Sequence, residues 1–97
     1  MNKNKVLDTL CALFQEIQQQ FDVASLAVFG SASRGELRDE SDVDVLVHFN
    51  SPATFDGYFA LKFHLEDLLG REVDLATDKM IKLRLRRRIE NELIYVT

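Results

Sequence analysis

Hydrophobic residues near the start of the chain recur at spacings of three and four positions. The set consists of Val6, Leu10, Leu13, Phe14, Ile17 and Phe21. Residues at these spacings lie on one face of an α-helix. The pattern therefore predicts an amphipathic helix over about residues 3–21 that packs against a core through this face.

Three later segments have the short apolar character of β-strands, at about residues 24–29, 42–49 and 72–76. Side chains on a strand alternate between its two faces. In the second segment one face carries Val43, Val45, Val47 and Phe49, and the other carries Asp42, Asp44, Leu46 and His48. In the third, Asp74 points away from Val73 and Leu75. We expect the apolar sets to face the core and the acidic residues to lie on the opposite face.

A second long helix is predicted after the second strand. Thr54 can cap its start, Leu69 is its last residue, and Gly70 suits the position that follows a helix. Its apolar residues cover more than half of the circumference: Phe55, Tyr58, Phe59, Leu61, Phe63, Leu65, Leu68 and Leu69. One buried face does not need this width, so the excess is either further core or a surface for a partner.

Shorter elements complete the predicted order. Ser31 can cap a short helix that ends near Leu37, and Thr77 or Asp78 can begin a last helix. The last helix has an apolar stripe formed by Ile81, Leu85, Ile89 and Leu93, and residues 94–96 can add an edge strand. Alternating helices and strands indicate one α/β domain over residues 1–97, with a three- to four-stranded mixed sheet and flanking helices.

Composition narrows the class of protein. The chain has 97 residues, and 46% of them are hydrophobic, which is too many for a disordered chain. No apolar run approaches the ~20 residues that span a bilayer. A single cysteine, Cys11, excludes an internal disulfide and predicts a cytoplasmic protein; we expect its thiol to be buried. The net charge of −4 argues against general binding to nucleic acid, and we also expect no membrane partner.

The turn after the first strand is a candidate phosphate site. Gly30 and Ser31 offer backbone N–H groups and a hydroxyl where a strand passes into a helix, and such groups suit phosphate oxygens. Arg34, one helical turn later, can bind the same oxygens. The plainer interpretations are an ordinary turn and a surface arginine, and the residues alone leave both open.

Three carboxylates form the second candidate site. Asp42 and Asp44 share one face of the second strand, and Asp74 interrupts the third. Isolated acids at a strand end are most often solvated, but here they follow a Gly-Ser turn and belong to otherwise apolar strands. Carboxylates together with substrate phosphates are the usual ligands of Mg²⁺, and two such ions can clamp the oxygens of an in-line phosphoryl transfer.

These residues resemble a known signature. Gly30-Ser31-Ala32-Ser33-Arg34-Gly35, then Ser41-Asp42-Val43-Asp44, is similar to the motif of minimal nucleotidyltransferases of the DNA polymerase beta superfamily. The resemblance implies the small polymerase beta-like fold. It also implies that Asp42, Asp44 and Asp74 bind two Mg²⁺ ions and carry catalysis, Asp74 also accepting a proton. Gly30, Ser31 and Arg34 would bind the phosphates of ATP.

Larger members of this superfamily have a further domain for the acceptor, and we expect a single domain without one here. The chain resembles the antitoxin of HEPN–MNT pairs, which transfers AMP from ATP to a tyrosine hydroxyl of a HEPN ribonuclease toxin. We therefore expect a HEPN-type protein as partner.

Two alternatives remain: an antitoxin that acts by binding alone, and an adenylyltransferase for a small hydroxylated molecule. The basic face over residues 84–88 is either solvated or a docking patch.

Overall fold

A computed structural model describes residues 3–30, 42–77, 80 and 93–96. Its elements in chain order are α1 (Lys3–Phe21), β1 (Val23–Phe29), β2 (Val43–Phe49), α2 (Phe55–Leu69), β3 (Val73–Thr77) and β4 (Ile94–Val96). Each begins and ends within about one residue of its predicted position. The predicted short helix that begins at Ser31 and the predicted last helix lie outside the described residues.

The four strands form one mixed sheet in the order β3-β2-β1-β4. β1 is antiparallel to both β2 and β4, whereas β2 and β3 are parallel. A parallel pair needs a long crossover connection, and α2 supplies it between β2 and β3. The predicted mixed sheet is confirmed, and β4 lies at its edge as predicted.

Helices cover one face of this sheet. The main core joins Val6, Leu10 and Ile17 of α1 and Leu61, Leu65 and Leu69 of α2 to the inward residues of the strands. Val43, Val45, Val47, Val73 and Leu75 all belong to it, as the alternation predicts. Among the described residues, the opposite face carries a smaller cluster of Ala27 and Leu46, with Phe29, Ala76 and Leu93 packed against it. Because strand residues alternate, Asp44 and Asp74 project from this second face.

The ends of α2 have the predicted caps. The Thr54 Oγ1 accepts a hydrogen bond of 3.0 Å from the Gly57 N–H. At the other end, Gly70 adopts the left-handed conformation with φ of 67°, and its N–H donates to the Glu66 carbonyl at 2.8 Å. Both caps satisfy backbone groups that a helix end leaves without partners. They define where α2 begins and ends.

Two expectations about side-chain burial change. Cys11 is exposed, so the prediction of a buried thiol is wrong. The buried face of α1 is narrow, and Cys11 lies one step around the helix from Leu10, outside that face. On α2, Phe55 and Phe63 remain 77% and 56% exposed, because the helix contacts the sheet through its leucine face. Within the described ranges, neither helix combines the length and hydropathy that crossing a membrane requires.

The Thr54 cap gives a stability prediction. Thr54→Ala removes the acceptor for the Gly57 N–H and should lower the free energy of unfolding by about 1 kcal/mol. Thr54→Ser keeps the hydroxyl and should remain close to the original chain. Urea denaturation followed by circular dichroism measures both variants. Equal stability of the Ala and Ser variants would contradict a capping role.

Candidate active site

The turn after β1 lies directly against Asp44. Antiparallel pairing sets Phe29 opposite Asp44, and Gly30 follows Phe29. Gly30 has a φ of +68°, and a Cβ atom built on it would lie 2.1 Å from the Asp44 Oδ2. Both the backbone conformation and this close approach require glycine. The predicted phosphate-binding turn and the predicted metal-binding carboxylate are therefore neighbours.

The parallel pairing of β2 and β3 brings a second carboxylate beside the first. Asp44 and Asp74 are register partners on neighbouring strands, which lie about 4.8 Å apart in a sheet. Partners in register project from the same face. Asp44 is partly buried beside the turn, whereas Asp74 is exposed. The pair is thus anchored on one side and open to solvent on the other.

Asp42 lies just before β2 and is exposed. The next residue, Val43, donates its N–H to the Glu72 carbonyl at 3.0 Å, so the chain is already paired with the β3 segment there. In the part of the chain that the structure describes, no three acidic, histidine or cysteine side chains gather as a complete metal site. The role of Asp42 as a third ligand stays a prediction.

Two neighbouring carboxylates nevertheless suit a divalent cation. Mg²⁺ is commonly held by one or two carboxylates, and substrate phosphates and water complete its shell. Asp44 and Asp74 provide this oxygen donor set without a third side chain. Like charges at opposed strand positions destabilise a sheet. A cation between the two carboxylates would offset their repulsion, so the residues present fit the ion.

The remaining predicted residues are distributed differently. Ser31 and Arg34 lie outside the described residues, so their roles stay predictions. His48 is exposed on the same face as Asp44 but four positions further along β2. It contributes to an open pocket of about 360 Å³ at the far end of that strand. This pocket contains none of the three carboxylates, and the site is defined by the carboxylate pair instead.

The structure adds two polar residues of α2 that sequence reasoning missed. The Tyr58 hydroxyl donates to the Leu75 carbonyl, and a Glu66 carboxylate oxygen accepts from the Val73 N–H at 3.0 Å. Burial and the nearby charge of Asp74 raise the pKa of Tyr58, while Lys62 opposes the shift. In the sequence, Tyr58 belonged to the apolar set of the helix. Its polar function appears only when α2 lies along β3.

Comparison with known proteins identifies the family of this chain. The family model described as "Nucleotidyltransferase domain" matches residues 10–96. The protein adenylyltransferase MntA of Thermococcus cleftensis is 37% identical over 87 residues, which cover 90% of this chain and 88% of that protein. A Methanocaldococcus jannaschii protein assigned as a protein adenylyltransferase is 42% identical over 83 residues, 82% of this chain and 83% of its own length.

Solved structures show the same fold. One, assigned as a minimal nucleotidyltransferase, superposes with a TM-score of 0.80 at 33% identity and covers 97% of this chain and 95% of its own. Another comes from a tri-AMPylated HEPN toxin of Shewanella oneidensis in complex with MNT antitoxin. It has a TM-score of 0.67 at 15% identity, over 94% of this chain and 71% of that chain, a likeness of fold. The chain therefore belongs to the nucleotidyltransferase family, and it is an enzyme of that class with the fold of a minimal nucleotidyltransferase.

Proposed function

We propose that this chain is an antitoxin that transfers AMP from ATP to a tyrosine hydroxyl of a partner HEPN ribonuclease toxin and thereby neutralises it. The observation that carries the proposal is the contact of the Gly30 turn with Asp44, which pairs in register with Asp74. In this proposal the turn at Gly30 binds phosphate beside the carboxylate pair. The relative named protein adenylyltransferase and the neighbour from a HEPN–MNT complex support the choice of reaction and partner.

In the proposed reaction the acceptor oxygen forms a bond to the α-phosphorus of ATP. The bond from that phosphorus to the bridging oxygen of the β-phosphate breaks, and pyrophosphate leaves. The backbone at Gly30, the Ser31 hydroxyl and the Arg34 guanidinium bind the phosphates and orient them. Asp74, the exposed member of the pair, accepts the proton of the attacking hydroxyl.

Asp42, Asp44 and Asp74 would hold two Mg²⁺ ions. When bound, the ions would stabilise the negative charge of the attacking and leaving oxygens. The protein's part is to keep the carboxylates in fixed positions on two paired strands. The acceptor comes from the partner protein, and the open side of the site at Asp74 is where it would approach.

The carboxylate pair gives a direct test of activity. Asp44→Asn and Asp74→Asn should each lower the rate of AMP transfer by about 100-fold or more, because several kcal/mol of charge stabilisation is lost. The assay combines the chain, labelled ATP, Mg²⁺ and the product of the neighbouring gene as the proposed HEPN partner, and it follows label on a tyrosine. Asp67→Asn is the matched control, since Asp67 is an exposed acid of α2 away from the pair.

The same variants separate the alternatives. Variants that cannot transfer AMP but still protect cells from the toxin would establish neutralisation by binding alone. Label that fails to reach the HEPN protein in the presence of the original chain would contradict the proposed acceptor. A screen of small hydroxylated molecules for pyrophosphate release would then test the remaining class of substrate.

Two glycines provide a second prediction. Gly30→Ala forces a Cβ atom against the Asp44 carboxylate, so transfer should fall by about 100-fold or more. Gly70→Ala introduces the same strain at a φ of +67°, but nothing lies within 4 Å of its Cβ. It should cost about 1–2 kcal/mol of stability and leave the transfer rate unchanged. Equal activities of the two folded variants would contradict a role for the Gly30 turn.

A further inference from the structure

Among the described strands, β3 lies at one edge of the sheet, and it carries Asp74 at its second position. Along a strand, the peptide groups of successive residues point alternately to the two sides. The Glu72 carbonyl faces β2, because it accepts from the Val43 N–H. The N–H and C=O groups of Val73 and Leu75 therefore face away from the sheet. Such edge groups have no strand partner and are normally left to solvent or covered by another element.

Helix α2 provides partners for two of these groups, one on either side of Asp74. Glu66 accepts from the Val73 N–H at 3.0 Å, and the Tyr58 hydroxyl donates to the Leu75 carbonyl. The residue before Asp74 thus donates a hydrogen bond to α2, and the residue after Asp74 accepts one from it. Asp74 lies between these two residues. It is paired with β2, and its two neighbours in the chain are hydrogen-bonded to α2.

Both helix residues are themselves fixed. The Lys62 Nζ lies 2.9 Å from the Glu66 Oε2 and 5.3 Å from the centre of the Phe63 ring. The hydrogen bonds from Val73 and Lys62 lower the pKa of Glu66, so the carboxylate is ionised at neutral pH. The centres of the Tyr58 and Phe59 rings lie 5.1 Å apart in an edge-on arrangement, which restrains the Tyr58 ring.

We infer that Tyr58 and Glu66 are positioning residues, which fix the backbone on both sides of Asp74 so that its carboxylate stays beside that of Asp44. The inference rests on the proposed function, in which Asp74 binds metal and accepts a proton. A catalytic group displaced by 1 Å can lose about 100-fold in rate. Outer contacts that orient a metal ligand typically change metal affinity by about 10–100-fold.

The test uses Tyr58→Phe, which removes only the hydroxyl, and Glu66→Ala, which removes the acceptor. Binding of Mn²⁺, followed by electron paramagnetic resonance without turnover, should weaken by about tenfold in each variant. The kcat of AMP transfer should fall by about tenfold, with the KM for ATP unchanged, because the turn at Gly30 is untouched.

Two variants serve as matched controls. Tyr95→Phe removes the hydroxyl of a tyrosine on β4, the strand at the opposite edge of the sheet. Thr54→Ala destabilises α2 through its cap while leaving both contacts with β3 in place. Both controls should keep the original Mn²⁺ affinity. A loss of affinity in Thr54→Ala equal to that in Tyr58→Phe would mean that general destabilisation is the cause, and it would overturn the inference.

Hydrogen exchange gives a readout that needs neither metal nor nucleotide. Glu66→Ala should accelerate exchange of the Val73 amide, and Glu66→Gln should restore protection because its side-chain oxygen still accepts. Unchanged exchange in Glu66→Ala, or unchanged Mn²⁺ affinity and kcat in both variants, would overturn the positioning role. If the original chain transfers no AMP while exchange and Mn²⁺ binding respond as expected, the proposed function fails and the positioning of Asp74 stands.

Discussion

The pairing of β2 with β3 is the interaction on which the site depends. Its register sets Asp44 beside Asp74, and it also places Val73 and Leu75 in the core under the helices. A slip of one residue would turn Asp74 into that core and expose the two apolar side chains. Burying a valine or leucine contributes about 1.5–3 kcal/mol, and burying an unpaired carboxylate costs several more. Core packing therefore enforces the register that the site requires.

The two faces of the sheet have different tasks. Of the residues that the structure describes, most large buried side chains lie on the helix-covered face, and the other face carries a smaller cluster around Ala27 and Leu46. The acidic residues Asp44 and Asp74 lie on this second face, near the starts of β2 and β3. The turn at Gly30 completes this arrangement, because it brings backbone to within contact distance of Asp44.

Helix α2 shows how one element serves several purposes. Its leucine face fills the core, and its polar residues hold the outer edge of β3. A third face of the helix carries a row of three phenylalanines. The centre of the Phe59 ring lies 4.7 Å from the centre of the Phe55 ring and 6.1 Å from that of the Phe63 ring. The apolar residues of α2 therefore fall mainly into two groups, leucines that belong to the core and phenylalanines, of which Phe55 and Phe63 are largely exposed. Contiguous exposed apolar side chains often mark a surface that contacts other molecules.

Sequence periodicity by itself determined the elements that the structure describes, the buried faces of β2 and β3, and the caps at Thr54 and Gly70, because these features depend on residues near one another in the chain. The motif from Gly30 to Asp44 resembled the signature of minimal nucleotidyltransferases, and the comparisons confirmed the nucleotidyltransferase family. Tertiary structure decided what depends on distant contacts. The exposure of Cys11, the register of Asp44 with Asp74, and the contacts of Tyr58 and Glu66 with β3 follow from how helices and strands pack. No local pattern encodes which side chain will meet the edge of a strand that lies several residues further along the chain.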